Sequence, residues 1–492
     1  MSRVANATLA LAINRFCPPV FGFLLLVIVG LRSSELLGWY TVVTVFYFAL
    51  QTLPFLGLTP LIVKEGARRP KDAGRIFATS VGIAGAVTLV LCLALPVVLR
   101  FADLPLDVES AVWICALTTI PYVIAYSAEL ILVSFDEPWL LGSVPLVENS
   151  LRLCASFAAL QMGHGITALF WFTFAGRVVA AIVLSVALRR RVLRDLPMHF
   201  DIAMAKNWLG QCPVFFLHAA TYLVTSRAAV VVLSRVVGSV AVANFSVGYR
   251  VLDLGTVGLT AFAGAVYPGM AKAAAAEDRD EFRRSTAIST KLALAMGTVL
   301  AILALSGSEV FVAVLFPRQF PDAVAAMQIL MVSFVAVGMR LMLSGAMFAA
   351  DRPAWDLSAL VLGAVSYVVL LVWLVPSFGV VGAAAATVAE AAIQASIRVA
   401  IARSDHITGP LLRHRTGTTL IVSAILLALS VATCAWIHDP YWRLCTGIAC
   451  GAVYLLVLRK SGALRAEDLA FLGIGRSGKS VVDGVPGGRD EV

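Results

Sequence analysis

Between Arg75 and Arg100 the chain reads Ile76-Phe-Ala-Thr-Ser-Val-Gly-Ile-Ala-Gly-Ala-Val-Thr-Leu-Val-Leu-Cys-Leu-Ala-Leu-Pro-Val-Val-Leu99, with no charged residue between the two arginines. Coiled into a helix at 1.5 Å per residue, this stretch is about 36 Å long, enough to cross a hydrocarbon core about 30 Å thick. It reads as a transmembrane helix with a basic residue at each end. Similar stretches lie on both sides of it, at 12–31, 38–63, 111–134, 139–160, 166–188, 208–234, 240–271, 289–307, 322–350, 354–375, 380–402, 417–436 and 441–458. With 76–99 they make fourteen spans and take up more than half of the chain.

The composition agrees. Apolar residues are 60% of the 492 and charged residues 14%, against about 45–50% and 25% in soluble domains. Mean hydropathy is +0.91. A soluble enzyme and a disordered chain are both excluded. Arg3 is the only charge before the first span, and no small-residue cleavage site follows it, so that span reads as a retained helix. The eight cysteines all fall in apolar stretches without CxxC spacing. They read as small apolar residues, with no metal or disulfide framework.

Direction follows from Lys and Arg. With the N-terminus in the cytoplasm, 27 of them fall on inside segments and 4 on outside loops. The inside groups are Arg3, Lys64–Arg75, Arg189–Lys206, Lys272–Lys291, Arg352, Arg398–Arg415 and the tail. Both termini are therefore expected in the cytoplasm. The net charge of +9 is a property of these loops and implies no nucleic acid. Loops such as Gly163–Gly165 leave no room for an outside domain, which argues against a glycosyltransferase or polymerase. The Asp136-Glu137 pair beside Pro138 reads as a turn. The tail 459–492, Gly-rich toward its end, is expected to lack fixed structure.

An internal repeat is expected. Gly165-Ile-Thr-Ala168 opens span six, which ends at Arg189; Gly379-Val-Val-Gly382 opens span twelve, which ends at Arg403. Gly38-Trp-Tyr40 and Ala243-Asn-Phe245 open spans two and eight in the same way. A repeat of six spans is even in number, so the two halves lie parallel in the membrane.

These residues carry a resemblance. Gly38-Trp-Tyr40 leads to Gly57-Leu-Thr-Pro60 and the basic loop Lys64–Arg69. Gly248-Tyr-Arg250 leads through Asp253 to Ala265-Val-Tyr-Pro268. Leu315-Phe-Pro-Arg-Gln-Phe320 is followed by Ile329-Leu330, and Gly379-Val-Val-Gly-Ala-Ala384 comes last. In order and spacing the chain resembles the polysaccharide exporters of the multidrug, oligosaccharidyl-lipid and polysaccharide (MOP) exporter superfamily, in particular the Wzx-type lipid-linked oligosaccharide flippases. The resemblance implies an all-α polytopic membrane protein, with two parallel six-helix lobes around a central cavity plus two C-terminal helices. It places the lobes at 1–200 and 206–405 and the added pair at 417–458. It implies a bacterial cytoplasmic membrane, no cofactor, and translocation of an undecaprenyl-diphosphate-linked oligosaccharide. A polysaccharide polymerase and glycosyltransferases of the same pathway are the implied partners, beside membrane lipids. Members often carry an acid soon after the Arg of span seven; here Arg227 is followed by Ala228-Ala-Val-Val-Val232, so no charge pair carries over at that point.

A charge at mid-bilayer costs about 2.5–3.5 kcal/mol on insertion scales, so each marks a candidate site. The cations are Arg15, Arg152, Arg177, Arg227, Arg250, Arg340 and Arg443; the anions are Glu129, Glu148, Asp253 and Glu390. Arg15 and Arg443 lie near span ends and can snorkel. Glu148 and Arg152 are spaced i, i+4, and Arg250 and Asp253 i, i+3, so each pair shares a helix face. Arg177, Arg227 and Arg340 have no acid at such spacing. Either they pair across helices with Glu129 or Glu390, or they face a wet cavity where their forks suit a phosphate. The substrate-binding candidates are thus Arg152, Arg177, Arg227, Arg250 and Arg340. Glu129, Glu148, Asp253 and Glu390 are the coupling or ion-pair candidates. His218 reads as a helix-packing residue. Two rivals remain at this level: a multidrug and toxic compound extrusion antiporter, and a peptidoglycan-precursor flippase of the same superfamily. An acid-free first span and seven cations against four anions disfavour the cation pump.

Overall fold

The computed structural model describes residues 3–135, 138–194, 196–316, 320–404, 416–437 and 439–463, with the side chains of 3–15, 138 and 139 left aside. Arg15, the Asp136-Glu137 turn, residues 317–319 of the Leu315–Phe320 motif and the tail beyond 463 lie outside that description. Among the described residues the chain is all-α: α1 (Arg3–Arg32), α2 (Ser34–Thr52), α3 (Thr59–Arg68), α4 (Ala73–Ala102), α5 (Leu106–Ser134), α6 (Pro138–Gln161), α7 (Ile166–Arg191), α8 (Ile202–Val236), α9 (Ser239–Ala275), α10 (Arg279–Ser306), α11 (Ser308–Leu315), α12 (Ala323–Ala349), α13 (Pro353–Ser404), α14 (Thr416–Trp436) and α15 (Pro440–Lys460).

Eleven of these are long and apolar enough to cross a membrane. α13 crosses twice. Gly379 sits at φ 53°, ψ −126° in its middle, and the Tyr367 hydroxyl meets Thr387 Oγ1 at 3.0 Å. A straight helix would set those two residues about 30 Å apart, so 353–378 and 380–404 are antiparallel legs. α1, with its shorter apolar part Phe16–Arg32, and α6, whose middle carries Glu148, Asn149 and Arg152, complete the fourteen. One span is shorter than the sequence suggests. α2 stops at Thr52, Leu56 and Gly57 are left-handed, and α3 starts anew as a separate amphipathic helix bearing Lys64 and Arg68.

Alternation of these crossings gathers short turns at one end of the bundle and the basic segments at the other; we call them the short-turn face and the basic face. Three pairings, α1–α6, α2–α5 and α5–α7, recur six spans later as α8–α13, α9–α12 and α12–α13, with His218 of α8 facing Asp356 of the first leg and Arg340 of α12 bonding Gln394 of the second. The repeated second spans, α2 and α9, face each other. At the short-turn face their ends touch backbone to backbone, because Gly38 leaves no Cβ between itself and the Ser239 carbonyl. α14 and α15 pack on α10, where Thr298, Ser423 and Tyr454 form a buried chain of hydroxyls with O···O distances of 2.9 and 2.8 Å. Arg443 reaches Glu309 of α11 at 2.5 Å.

At the basic face the connection into α8 is pinned to α4. Asp201 caps α8 by accepting from the Ala203 and Met204 amides, at 2.9 and 3.0 Å. Its second carboxylate oxygen takes a bond from Arg75, and its own amide donates to Thr79.

Candidate functional site

The intramembrane charges collect in three clusters. The first lies between α6 and α7. Arg177 Nε stands 3.1 Å from Glu148 Oε1, and its guanidinium lies 5.1 Å from the centre of the Tyr122 ring on α5. Gly176 allows the close approach, since a Cβ there would meet Glu148 Cγ at 3.3 Å. The carboxylate thus goes across helices to Arg177 and not to Arg152 one turn further along α6. Arg152 has no carboxylate within 4 Å and its buried Nε has no hydrogen bond among the described residues. Glu129 does not take Arg177; it stays beside Tyr122 and Tyr126 on α5.

The second cluster lies where the two halves meet. Arg250 and Asp253 form the pair their spacing suggests, at 3.4 Å, with the guanidinium resting against Gly22 of α1. Arg227 reaches over the Phe48 ring of α2 at 4.5 Å. It has no carboxylate within 4 Å among the described residues, and its Nε is buried without a partner. Arg227, Arg250, Asp253, Tyr40 and Tyr249 line a space of about 20 Å³, room for about one water. Two more buried polar atoms on α2 lack partners, Tyr47 Oη and Gln51 Nε2. Buried polar groups are seldom left unpaired, so these three groups mark where a ligand could be held.

The third cluster joins α8, α12 and both legs of α13. Arg340 Nη1 donates to Gln394 Oε1 at 3.3 Å and lies 3.9 Å from Glu390. Gln394 donates to Glu390 and accepts from Arg398 Nη1 at 2.9 Å. Arg398 Nε binds Asp356 Oδ1 at 2.8 Å, and Asp356 Oδ2 faces His218 Nε2 at 3.9 Å. Asp356, Gln394 and Arg398 are at most 3% exposed. Sequence reasoning missed this pair. Arg398 was counted with the cytoplasmic cations beside Arg403, and Asp356 sits one turn from Pro353, where an acid reads as a helix start. Their signal is the repeat: in each half an acid of the fifth span reaches an arginine of the sixth, Glu148 to Arg177 and Asp356 to Arg398. His218 is more than a packing residue, being half exposed at the edge of this network.

Arg177 and Arg340 are therefore each neutralised across helices, in separate halves. Arg152 and Arg227 are the uncompensated cations among the candidates.

The same fold is found in solved structures of membrane transporters. The lipid II flippase MurJ in an inward closed conformation superposes with a TM-score of 0.67 over 93% of this chain and 98% of its own, at 15% identity. An inward-facing multidrug resistance transporter of the MATE family gives 0.66 over 81% and 98%, at 14% identity. A MOP superfamily transporter from Pyrococcus furiosus, described by a binding pocket of reversed polarity, gives 0.60 over 82% and 95%, at 15% identity. No curated protein matches the chain. Residues 20–274 match the family described as polysaccharide biosynthesis protein, and the chain belongs to that family.

Proposed function

We propose that the protein is a flippase that carries a lipid-linked oligosaccharide, borne on a polyprenyl diphosphate such as undecaprenyl diphosphate, across a bacterial cytoplasmic membrane for surface or exported polysaccharide. The observation that carries this reading is the uncompensated positive charge of Arg227, at the interface of the halves, and of Arg152, on α6 of the first half. Among the described residues Arg227 and Arg152 have no carboxylate within 4 Å, while Glu148, Asp253, Asp356 and Glu390 each pair with an arginine. A pump for organic cations needs an available buried carboxylate, and here these four are taken. A diphosphate, in contrast, is attracted by free guanidiniums, and low-dielectric walls strengthen the attraction. The Tyr47 hydroxyl and Gln51 amide offer hydrogen bonds to sugar hydroxyls.

In this reading residues 1–200 and 206–405 are lobes that rock about α2 and α9, giving alternating access. The basic face is cytoplasmic, with both termini there, and the structure is closed on the outer side by the Gly38–Ser239 contact. No covalent step is required of the protein. A polysaccharide polymerase and glycosyltransferases act before and after it in the same pathway.

The test is a deletion strain read in two ways. Lipid-linked oligosaccharide should accumulate on the inner leaflet while polysaccharide outside falls, and resistance to cationic dyes should not change. Dye sensitivity with normal polysaccharide would replace this reading by the multidrug one.

A further inference from the structure

Between α6 and α7 a groove of about 410 Å³ opens, lined by residues of these two helices, within the size range of small-molecule sites. Its walls are apolar: Val144, Val147, Leu151, Phe172, Val179 and Val183 among them. It starts near the basic face at Leu140 and follows α6 to Ala155, about 24 Å at 1.5 Å per residue. Val147, Leu151 and Val179 are exposed along it, as lipid-facing residues are. Two charged side chains break this apolar lining, Glu148 and Arg152. Glu148 is spent on Arg177. Arg152 is not spent: among the described residues its Nε is buried without a hydrogen bond, and its charge is felt by Cys17 of α1, whose thiol donates to the Pro145 carbonyl of α6 at 3.6 Å, and by Tyr40 of α2. Tyr40 also lines the space that holds Arg227 and Arg250. One free guanidinium therefore stands between a lipid-facing groove and the polar interior.

We propose that this groove holds the isoprenoid chain of the phosphorylated carrier while its phosphate, held by Arg152, passes into the interior. The proposal rests on the flippase reading and adds the place where the lipid part leaves the bundle. The physical logic is one of division. An apolar chain gains little by leaving lipid for an equally apolar groove, so the groove alone selects nothing. The length of the groove along α6 suits an extended apolar chain, and the cation supplies the affinity through charge-assisted bonds to phosphate oxygens. A two-chained phospholipid has a phosphate as well, yet it has no reason to send that phosphate to mid-depth, since its headgroup belongs at the interface.

The experiment uses the full-length protein in phosphatidylcholine nanodiscs with a diazirine-tagged polyprenyl diphosphate that carries no glycan. Crosslinked peptides are mapped by mass spectrometry. Saturable labelling is expected on α6 and α7, competed by untagged polyprenyl diphosphate. Tagged polyprenol, without phosphate, should label these helices at least tenfold less, and Arg152→Gln should lower labelling by about tenfold or more, as loss of a charge-assisted bond does. Val147→Trp, which fills the groove and leaves the charges alone, should lower it as well; each variant is checked for monodisperse elution. Equal competition by phosphatidylglycerol would make this an ordinary lipid groove and overturn the proposal. Saturable labelling elsewhere, on α14 and α15 for example, would overturn the groove and leave the flippase reading standing. No saturable labelling anywhere would overturn both.

Discussion

Closure at the short-turn face depends on one missing methyl group. A Cβ on Gly38 would overlap the Ser239 carbonyl and sit 2.9 Å from Ser239 Cα. Carbon atoms are comfortable at about 3.5–4.0 Å, so Gly38→Ala must part the ends of α2 and α9 by about 1 Å. No rotamer relieves the clash, because the obstructing atoms are backbone. Overpacking of this kind costs about 1–3 kcal/mol. In a state where α2 and α9 are apart the same methyl costs nothing, so the whole penalty falls on the closed state. That shifts the ratio of closed to open by about 5–150-fold. Ser246 reports the shift, being 6% exposed and lining the space around Arg227. In a cysteine-free background Ser246→Cys should label slowly with a membrane-impermeant maleimide applied to intact cells. Adding Gly38→Ala should speed labelling by at least about fivefold, and transport should fall because one end no longer seals. Gly85→Ala is the control, since nothing lies within 4 Å of a Cβ there. Unchanged labelling of Ser246→Cys, with the Gly38→Ala protein folded and in the membrane, would refute the reasoning that this contact is a gate.

Four further outcomes are expected. Asp356→Ala leaves Arg398 buried without its partner, so it should cost about 3–5 kcal/mol, seen as early aggregation on heating in detergent; the paired change Asp356→Asn with Arg398→Gln should recover much of it. Gly379→Ala puts a Cβ on a residue at φ 53° with open space around it, so its cost is conformational only, about 1–3 kcal/mol, read as a lower melting temperature with unchanged ligand affinity. The Asp201 carboxyl is held below the usual carboxylate range, first by the Met204 amide and then by Arg75. Its contribution to stability is therefore present above about pH 4 and is lost as pH falls through its lowered value; Asp201→Asn should flatten the acid limb of a melting-temperature profile between pH 7 and pH 3. Cysteines at Gly163 and Arg190 should label from opposite sides in intact cells, Gly163 from outside, and outside labelling of Arg190 would reverse the orientation.

Much of the fold was legible because the bilayer sets a simple length rule, and stretches such as 76–99 meet it without ambiguity. The rule fails where apolar residues continue through a bend. Leu53-Pro-Phe-Leu-Gly57 and Leu58-Ile62 read as the end of span two, yet left-handed Leu56 and Gly57 turn the chain so that α3 starts again. Pairings along one helix were readable when nothing competed: Arg250 and Asp253 meet as spaced. Glu148 shows the limit. Its spacing favours Arg152, but the rotation of α7 brings Arg177 to 3.1 Å, and helix rotation is a tertiary property that a single sequence does not carry. For Arg340 the sequence leaves open an acid across helices or a wet cavity, and Glu390 lies 3.9 Å from it. Depth misled in the other direction. Arg398 lies five residues from Arg403, and a loop count cannot tell a guanidinium in the headgroups from one that is 3% exposed against Asp356.

The central claim is that this protein moves a lipid-linked diphosphate and that Arg227 helps to hold it. The most direct measurement is translocation in vesicles. Purified protein is reconstituted with a polyprenyl-diphosphate oligosaccharide bearing a fluorophore on its sugar, and dithionite added outside reports the fraction that has crossed. Wild-type vesicles should lose fluorescence well beyond the half quenched in empty vesicles, and Arg227→Ala at equal reconstitution should do so at least tenfold more slowly. Quenching that stops at half in wild-type vesicles, with a fluorescent organic cation transported by the same preparation, would contradict the account.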